Sequence, residues 1–240
     1  MMKAILFINI FFSFVSYGQT CVIGYLTDTS IMVGSDSRTT RILSKNGKNF
    51  EVPETTCKIH NVGQFNFVNV NKFADDARDE ALRLCEKASS LPELIDSFRV
   101  NFKKRILNYL DYYKINNPPL YDSLLKDTAM VQIAFFQYEP NSKGYALLRF
   151  KAIENANGDH TVYSKLEIPQ YKIFALGETT PIDTLLDAPK IWTKGIKAGI
   201  IKLITIAAAY DSIHIAPPID IIEVSKSGVK WWQRKKICIF

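Results

Sequence analysis

Apolar residues run in short blocks at 21–26 and 31–35, separated by the polar Thr27-Asp28-Thr29-Ser30, and this spacing predicts a β-hairpin. The polar stretch 40–53, with Asn46-Gly47-Lys48 as a turn, reads as a loop or an exposed hairpin. A second strand pair is expected over 58–62 and 65–70, joined by Val62-Gly63-Gln64. The period then changes. Phe73, Ala74, Ala77, Ala81, Leu84 and Ala88 recur at helical spacing, so a helix is expected over about 73–88. Ser90-Leu91-Pro92-Glu93 is a capping box with an early proline, and it opens a second amphipathic helix carrying Leu94, Ile95, Phe98, Phe102, Ile106 and Leu110. That helix is expected to stop before Asn116-Asn117-Pro118-Pro119.

Strand patterning returns at 129–138, 144–152, 161–166 and 172–176, with turns at Pro140-Asn141-Ser142 and Asn157-Gly158-Asp159. A third helical stretch spans about 193–211, with Ile196, Ile200, Leu203, Ile206 and Ala207 on one face and lysines 194, 197 and 202 forming a solvated one. Pro217-Pro218 breaks the chain before a closing hairpin at 219–224 and 229–232. No linker-like composition or repeat interrupts this order. Strands followed twice by covering helices predict an α+β fold: one domain over 20–240, a four-layer αββα sandwich of two stacked antiparallel sheets flanked by helices.

Of the 240 residues, 47% are hydrophobic and 22% charged, which excludes a disordered chain or a polytopic membrane protein. The net charge of +6 is mild and spread along the chain, so no nucleic-acid partner is expected. Residues 1–19 carry one charge, Lys3, ahead of a twelve-residue apolar run at 4–15, followed by Ser16-Tyr17-Gly18. That is the layout of a signal peptide, too short to span a bilayer; the competing reading is a buried first element. Its removal takes away Lys3 and no acid, lowering +6 to about +5. Gly18-Gln19-Thr20-Cys21 lacks the small residues that precede a lipidated cysteine, so no stable membrane anchor is expected after leader removal, and the location would be secreted or periplasmic. Four cysteines are too few for a disulfide scaffold, and no His/Cys cluster has zinc spacing; no metal or cofactor is expected.

Thr20 stands at the end of the leader. A threonine hydroxyl needs an adjacent base, and a freed α-amine, with a reference pKa of roughly 7.7–8.0, can supply one. Thr20-Cys21-Val22-Ile23-Gly24-Tyr25 leads to Ile31-Met32-Val33-Gly34-Ser35-Asp36-Ser37-Arg38, with Asp36 sixteen residues after Thr20, and Cys57-Lys58-Ile59-His60 opens a later strand. Asn71-Lys72-Phe73-Ala74-Asp75-Asp76-Ala77 then starts the first helix, and Ala207-Ala208-Ala209-Tyr210-Asp211 ends a late one. This series resembles a 20S proteasome β subunit, a member of the N-terminal nucleophile (Ntn) hydrolases, over essentially all of 20–232, with the sharp motifs in the first part.

The resemblance implies an Ntn-hydrolase fold and an exported threonine-type endopeptidase or amidohydrolase acting on a peptide or other amide substrate. Thr20 would attack and form the acyl-enzyme, its amine relaying the proton. Lys58 would sit beside it, Asp36 would pair with Lys58, and Arg38 would brace the turn. Asp211 would hydrogen-bond around the N-terminus, and a backbone N–H at the start of the first helix, near Lys72, would hold tetrahedral charge. Where the family has a serine and two glycines after the late aspartate, this chain has Ile213-His214-Ile215-Ala216; His214 either replaces the serine hydroxyl or is structural. Lys72 stands where the family usually has glycine. These departures leave open a catalytically inactive relative acting as a binding or assembly module. A secreted carbohydrate- or protein-binding module is a further alternative, and a homo-oligomer is possible. Gln19 precedes Thr20 and would have to be removed, autocatalytically on the family's pattern, to free the amine. Cys21 as nucleophile would shorten the aspartate spacing to fifteen and present the other strand face to Lys58. Cys21 and Cys57 are expected as buried thiols, with a disulfide the lesser reading, and Cys85 and Cys238 as structural.

Overall fold

The computed structural model describes residues 16–17, 20–45, 48–127, 129–138, 144–167 and 172–238; side chains at 16–17, 41–45, 48–51 and 237 are not described. Most of the expected leader, and the turn at 140–142, therefore lie outside the described residues. The strands run in the order β1 (Ser16–Tyr17), β2 (Cys21–Leu26), β3 (Ser30–Ser35), β4 (Arg38–Lys45), β5 (Lys48–Thr55), β6 (Ile59–Val62) and β7 (Phe65–Asn71). Helices α1 (Ala74–Cys85), α2 (Leu91–Asn116) and α3 (Pro118–Lys126) follow. Strands β8 (Val131–Phe136), β9 (Tyr145–Glu154), β10 (His160–Glu167) and β11 (Ile173–Gly177) come next. Helices α4 (Pro189–Trp192) and α5 (Ile196–Tyr210) precede the closing strands β12 (Asp220–Ser225) and β13 (Gly228–Gln233), and a short 3-10 turn covers Lys236–Cys238.

Two five-stranded antiparallel sheets carry the molecule, one ordered β10-β9-β8-β7-β6 and the other β11-β2-β3-β12-β13. Their facing sides supply one apolar cluster, in which Val22, Ile31 and Val33 of the second sheet meet Val68, Val70, Ala134, Phe136 and Leu147 of the first. The first sheet's other face packs Phe67, Phe135 and Phe150 against Phe98, Phe102, Ile106 and Leu110 of α2. The second sheet's other face packs Cys21, Ile23 and Ile221 against Ile200, Leu203, Ile204 and Ala207 of α5. Strict alternation produces this division: in β2, Val22 turns to the neighbouring sheet while Cys21 and Ile23 turn to the helix. The result is a mixed α+β architecture of antiparallel sheets with helices against them, as the patterning predicts.

The polar stretch after Asp36 takes the hairpin form of the two expected, β4 paired with β5 from Arg38↔Thr55 to Lys45↔Lys48, and β1 joins its edge through Ser16↔Arg41 and Tyr17↔Thr40. Three local features depart from the expectation. Pro118-Pro119 does not leave a loop; it opens α3, because Asn117 Oδ1 accepts the Leu120 N–H at 3.3 Å and proline is suited to the first helical turn. At α2 the Ser90 hydroxyl accepts the Glu93 N–H at 3.4 Å, whereas the Glu93 carboxylate reaches Ser89 N–H at 2.9 Å rather than Ser90. The late helical stretch is split into α4 and α5 by Gly195, which has φ +92°.

Candidate functional site

Thr20 lies immediately before β2, Asp36 immediately after β3, and Lys58 immediately before β6, so the three come from two different sheets. Antiparallel pairing aligns the first two: Val22 is opposite Ser35, which brings the start of β2 beside the end of β3. Gly177 at the end of β11 seats Thr20 from the other side. It has φ +85°, an added Cβ would stand 1.7 Å from the Thr20 carbonyl oxygen, and the next N–H, of Glu178, donates to that oxygen at 2.8 Å.

The three side chains meet. Lys58 Nζ is 2.6 Å from Thr20 Oγ1 and 3.0 and 3.1 Å from the two Asp36 oxygens, and it also donates to the Arg38 carbonyl. Asp36 is fully buried, Thr20 is 2% exposed and Lys58 6%. Backbone N–H groups from three segments converge on the same carboxylate: Cys21 at 3.0 Å, Arg38 at 2.9 Å and Ala216 at 3.4 Å. Burial pushes the Lys58 ammonium below the usual lysine range; Asp36 opposes that shift and the nearby Lys235 adds to it. A buried lysine held beside a hydroxyl can donate to the oxygen when protonated and accept its proton when neutral.

Arg38 braces the neighbouring turn, its guanidinium donating to the Ser212 carbonyl at 2.8 Å. Asp211 is nearby in sequence but differently engaged. Its carboxylate accepts from His214 N–H at 3.2 Å and lies 2.8 Å from His214 Nδ1, and no hydrogen bond joins it to Thr20 among the described residues. His214 thus closes the 211–214 turn. Lys72 also differs from expectation. Its backbone N–H donates to the Met130 carbonyl at 3.1 Å, continuing the β7–β8 ladder, and its ammonium pairs with Asp127 at 2.9 Å. An N–H already engaged in the ladder is a poor oxyanion donor. The start of α1, which has no side-chain cap, is better placed, since Ala74 and Asp75 line the cavity at Thr20.

That cavity has a volume of about 30 Å3 and is also lined by Thr39, Thr56, Lys58, His60 and Arg78. Thr39 and Thr56 hydroxyls are 2.6 Å apart. His60 Nε2 is buried without a hydrogen-bond partner, and the ring stacks on Phe67 with centroids 4.8 Å apart. Burial, with Arg78 as the second cause, pushes the His60 imidazole down to about 4, so it is neutral at physiological pH. A larger cavity of about 520 Å3 lies at the far end of β2, between Tyr25, Lys172, Asp187 and Trp192, away from every sequence candidate.

Sequence reasoning missed three features. Cys57 is bonded to Cys238, not left as a thiol, while Cys21 and Cys85 are buried free thiols. Lys235 and Asp220 form a second buried pair at 2.8 Å. His60 was passed over although it stands two residues after Lys58; alternation on β6 places both on one side of the strand, which was the available signal. Among the described residues, no three His, Cys, Asp or Glu side chains are gathered as a metal site, and no helix is long and apolar enough to cross a membrane. Compared with known proteins, the chain matches no family model and no curated protein.

Proposed function

We propose that this chain is a threonine-type N-terminal nucleophile hydrolase of the proteasome β kind, with that family's four-layer fold, exported and acting on peptide or other amide bonds. The observation that carries the reading is the placement of Lys58 Nζ 2.6 Å from Thr20 Oγ1 and 3.0 Å from Asp36, the three residues to which the resemblance to a proteasome β subunit assigns one site. Once residues 1–19 are removed, the Thr20 amine is the base for its own hydroxyl. Oγ1 adds to the acyl carbon, the proton passes through the amine to the leaving nitrogen, and an ester on Thr20 remains. Water, deprotonated by the same amine, then hydrolyses that ester. Lys58 lowers the energy of the alkoxide by charge, and Asp36 fixes Lys58. The N–H groups at the start of α1 hold the tetrahedral oxyanion.

Leader release needs another base, because the Thr20 nitrogen is then an amide. Neutral Lys58 takes the Oγ1 proton, and Oγ1 adds to the Gln19 carbonyl carbon. The C–N bond breaks as the nitrogen is protonated, and water hydrolyses the resulting ester to free the amine. The short strand β1, two residues upstream of Gln19, is held against β4, whose own Thr39 lines the cavity at Thr20. Intact mass of purified wild type and Thr20→Ala tests this. Wild type should begin at Thr20 and the variant should retain Gln19. Both beginning at Gln19 would refute the enzyme.

The engagement of the Lys72 N–H with Met130 favours a second reading, an inactive relative that uses the same fold for binding or assembly. A processed, free Thr20 that fails to react with a small β-lactone would favour it.

A further inference from the structure

The carboxyl-terminal segment is fastened onto the residues that lead into Lys58. Lys235 is 6% exposed; its ammonium is 2.8 Å from Asp220 Oδ2 and donates to the Thr56 carbonyl, while its backbone N–H donates to Asp220 Oδ1 at 2.8 Å. Three residues on, Cys238 is bonded to Cys57, the residue before Lys58, and its N–H returns to the Lys235 carbonyl at 3.1 Å. The disulfide and the Lys235 contacts therefore grip the same 56–58 segment.

The two buried pairs are neighbours by register. Asp220 is opposite Ser35 in the β12–β3 ladder, so its strand position adjoins that of Asp36. Two ammonium groups, Lys58 and Lys235, thus share one buried region with two carboxylates, Asp36 and Asp220. Among the described residues, His60, Asp75 and Arg78 share the cavity that Lys58 lines, and other groups lie closer. Asp36 and the Thr20 hydroxyl come from the β2–β3 sheet, as does the Cys21 thiol, which burial keeps neutral. The Arg38 carbonyl comes from β4, and Lys235 with Asp220 from the tail and β12. Charge in each pair is felt in the other: Lys235 disfavours charge on Lys58, and Asp36 favours charge on Lys235.

We infer that Lys235 is a positioning residue for the Thr20 site, acting on Lys58 through its charge, and that the Cys57–Cys238 bond holds it there, so that the site is set only in the oxidised protein. Its catalytic meaning rests on the Thr20 reading; the influence on Lys58 does not. Release needs a dithiol reductant: two electrons and two protons convert the bond to two thiols while the reagent forms its own disulfide. Free of that bond, the 235–238 segment keeps its contacts to Asp220 and the Thr56 carbonyl but loses its covalent tie and loosens, taking a positive charge from the vicinity of Lys58.

The test is a pH titration of the Lys58 side chain by NMR on full-length protein labelled with 13C at lysine Cε, the resonance assigned by its loss in Lys58→Arg. Four samples are compared: oxidised, dithiol-reduced, Lys235→Met and Lys235→Arg. Removing the cation should raise the Lys58 midpoint by about one pH unit, roughly tenfold in proton affinity, in Lys235→Met and in the reduced protein. Lys235→Arg, which keeps the charge, should stay near wild type and separates charge from packing. Identical midpoints in all four samples overturn the inference, as does a shift in Lys235→Met without one on reduction. Because the readout is a titration and not turnover, these outcomes stand apart from failure of the hydrolase reading. If Thr20 is the nucleophile, its rate of acylation by a β-lactone should show the same displacement in pH profile.

Discussion

Replacing Asp36 with alanine should unsettle the protein more than replacing Lys58 with methionine, although the two form one pair. Asp36 accepts backbone N–H groups from Cys21, Arg38 and Ala216 as well as from Lys58, so Asp36→Ala orphans two buried donors, one half-buried donor and a buried lysine together. A single orphaned buried donor costs about 1–3 kcal/mol and a broken buried ion pair about 3–5 kcal/mol, with strong overlap between the two. The loss for Asp36→Ala should therefore be at least about 5 kcal/mol, the top of that range. Lys58→Met leaves the carboxylate with its three backbone partners and removes an ammonium that burial already disfavours. Its cost should be about 3 kcal/mol, the bottom of the range. The difference of about 2 kcal/mol would separate the urea midpoints by roughly 1 M at a slope near 2 kcal/mol/M. Equilibrium urea unfolding followed by tryptophan fluorescence measures this. A Lys58→Met variant as unstable as Asp36→Ala would refute the claim that Asp36 organises this corner through the backbone.

Acidification should weaken the fold through His60. Its folded pKa, about 4, lies below the unfolded value of about 6.5, so its contribution is complete above pH 6.5 and is lost as pH falls towards 4, by up to about 3 kcal/mol. His60→Phe should flatten that slope in denaturant midpoints measured between pH 4 and 7, and an unchanged slope would assign the effect elsewhere. Reducing Cys57–Cys238, which are 181 residues apart, should lower the melting temperature; loop entropy sets an upper limit of about 5 kcal/mol. A melt indifferent to a dithiol would count against a structural role for the bond. Gly177→Ala should displace Thr20 through the clash at its carbonyl and abolish both leader removal and lactone labelling, read by intact mass. A processed Gly177→Ala protein would show that the seat of Thr20 tolerates movement.

The clustering of Thr20, Asp36 and Lys58 was legible because three residues at the ends of strands are located largely by strand pairing: register brings Thr20 to Asp36, and the sheet-to-sheet core brings Lys58 across. Lys72 and Asp211 were not, because the partner of a backbone N–H or of a helix-end carboxylate depends on which neighbour packs there. Met130 took the Lys72 N–H and His214 took the Asp211 carboxylate. The Cys57–Cys238 bond was illegible for a related reason, since four cysteines permit several pairings and only the fold of the tail selects one. The α3 helix was hidden by reading Pro118-Pro119 as a stop, when the side chain of Asn117 makes the same prolines a start.

The Asp36–Lys58 contact bridges the two sheets rather than lying within either. A half-folded chain with one sheet formed would hold Thr20 and Asp36 together and still lack the ammonium. The cluster is therefore complete only after both layers have docked in register. On the hydrolase reading proposed above, that order would make reactivity a late event in folding and keep the chain from cutting itself before it is complete.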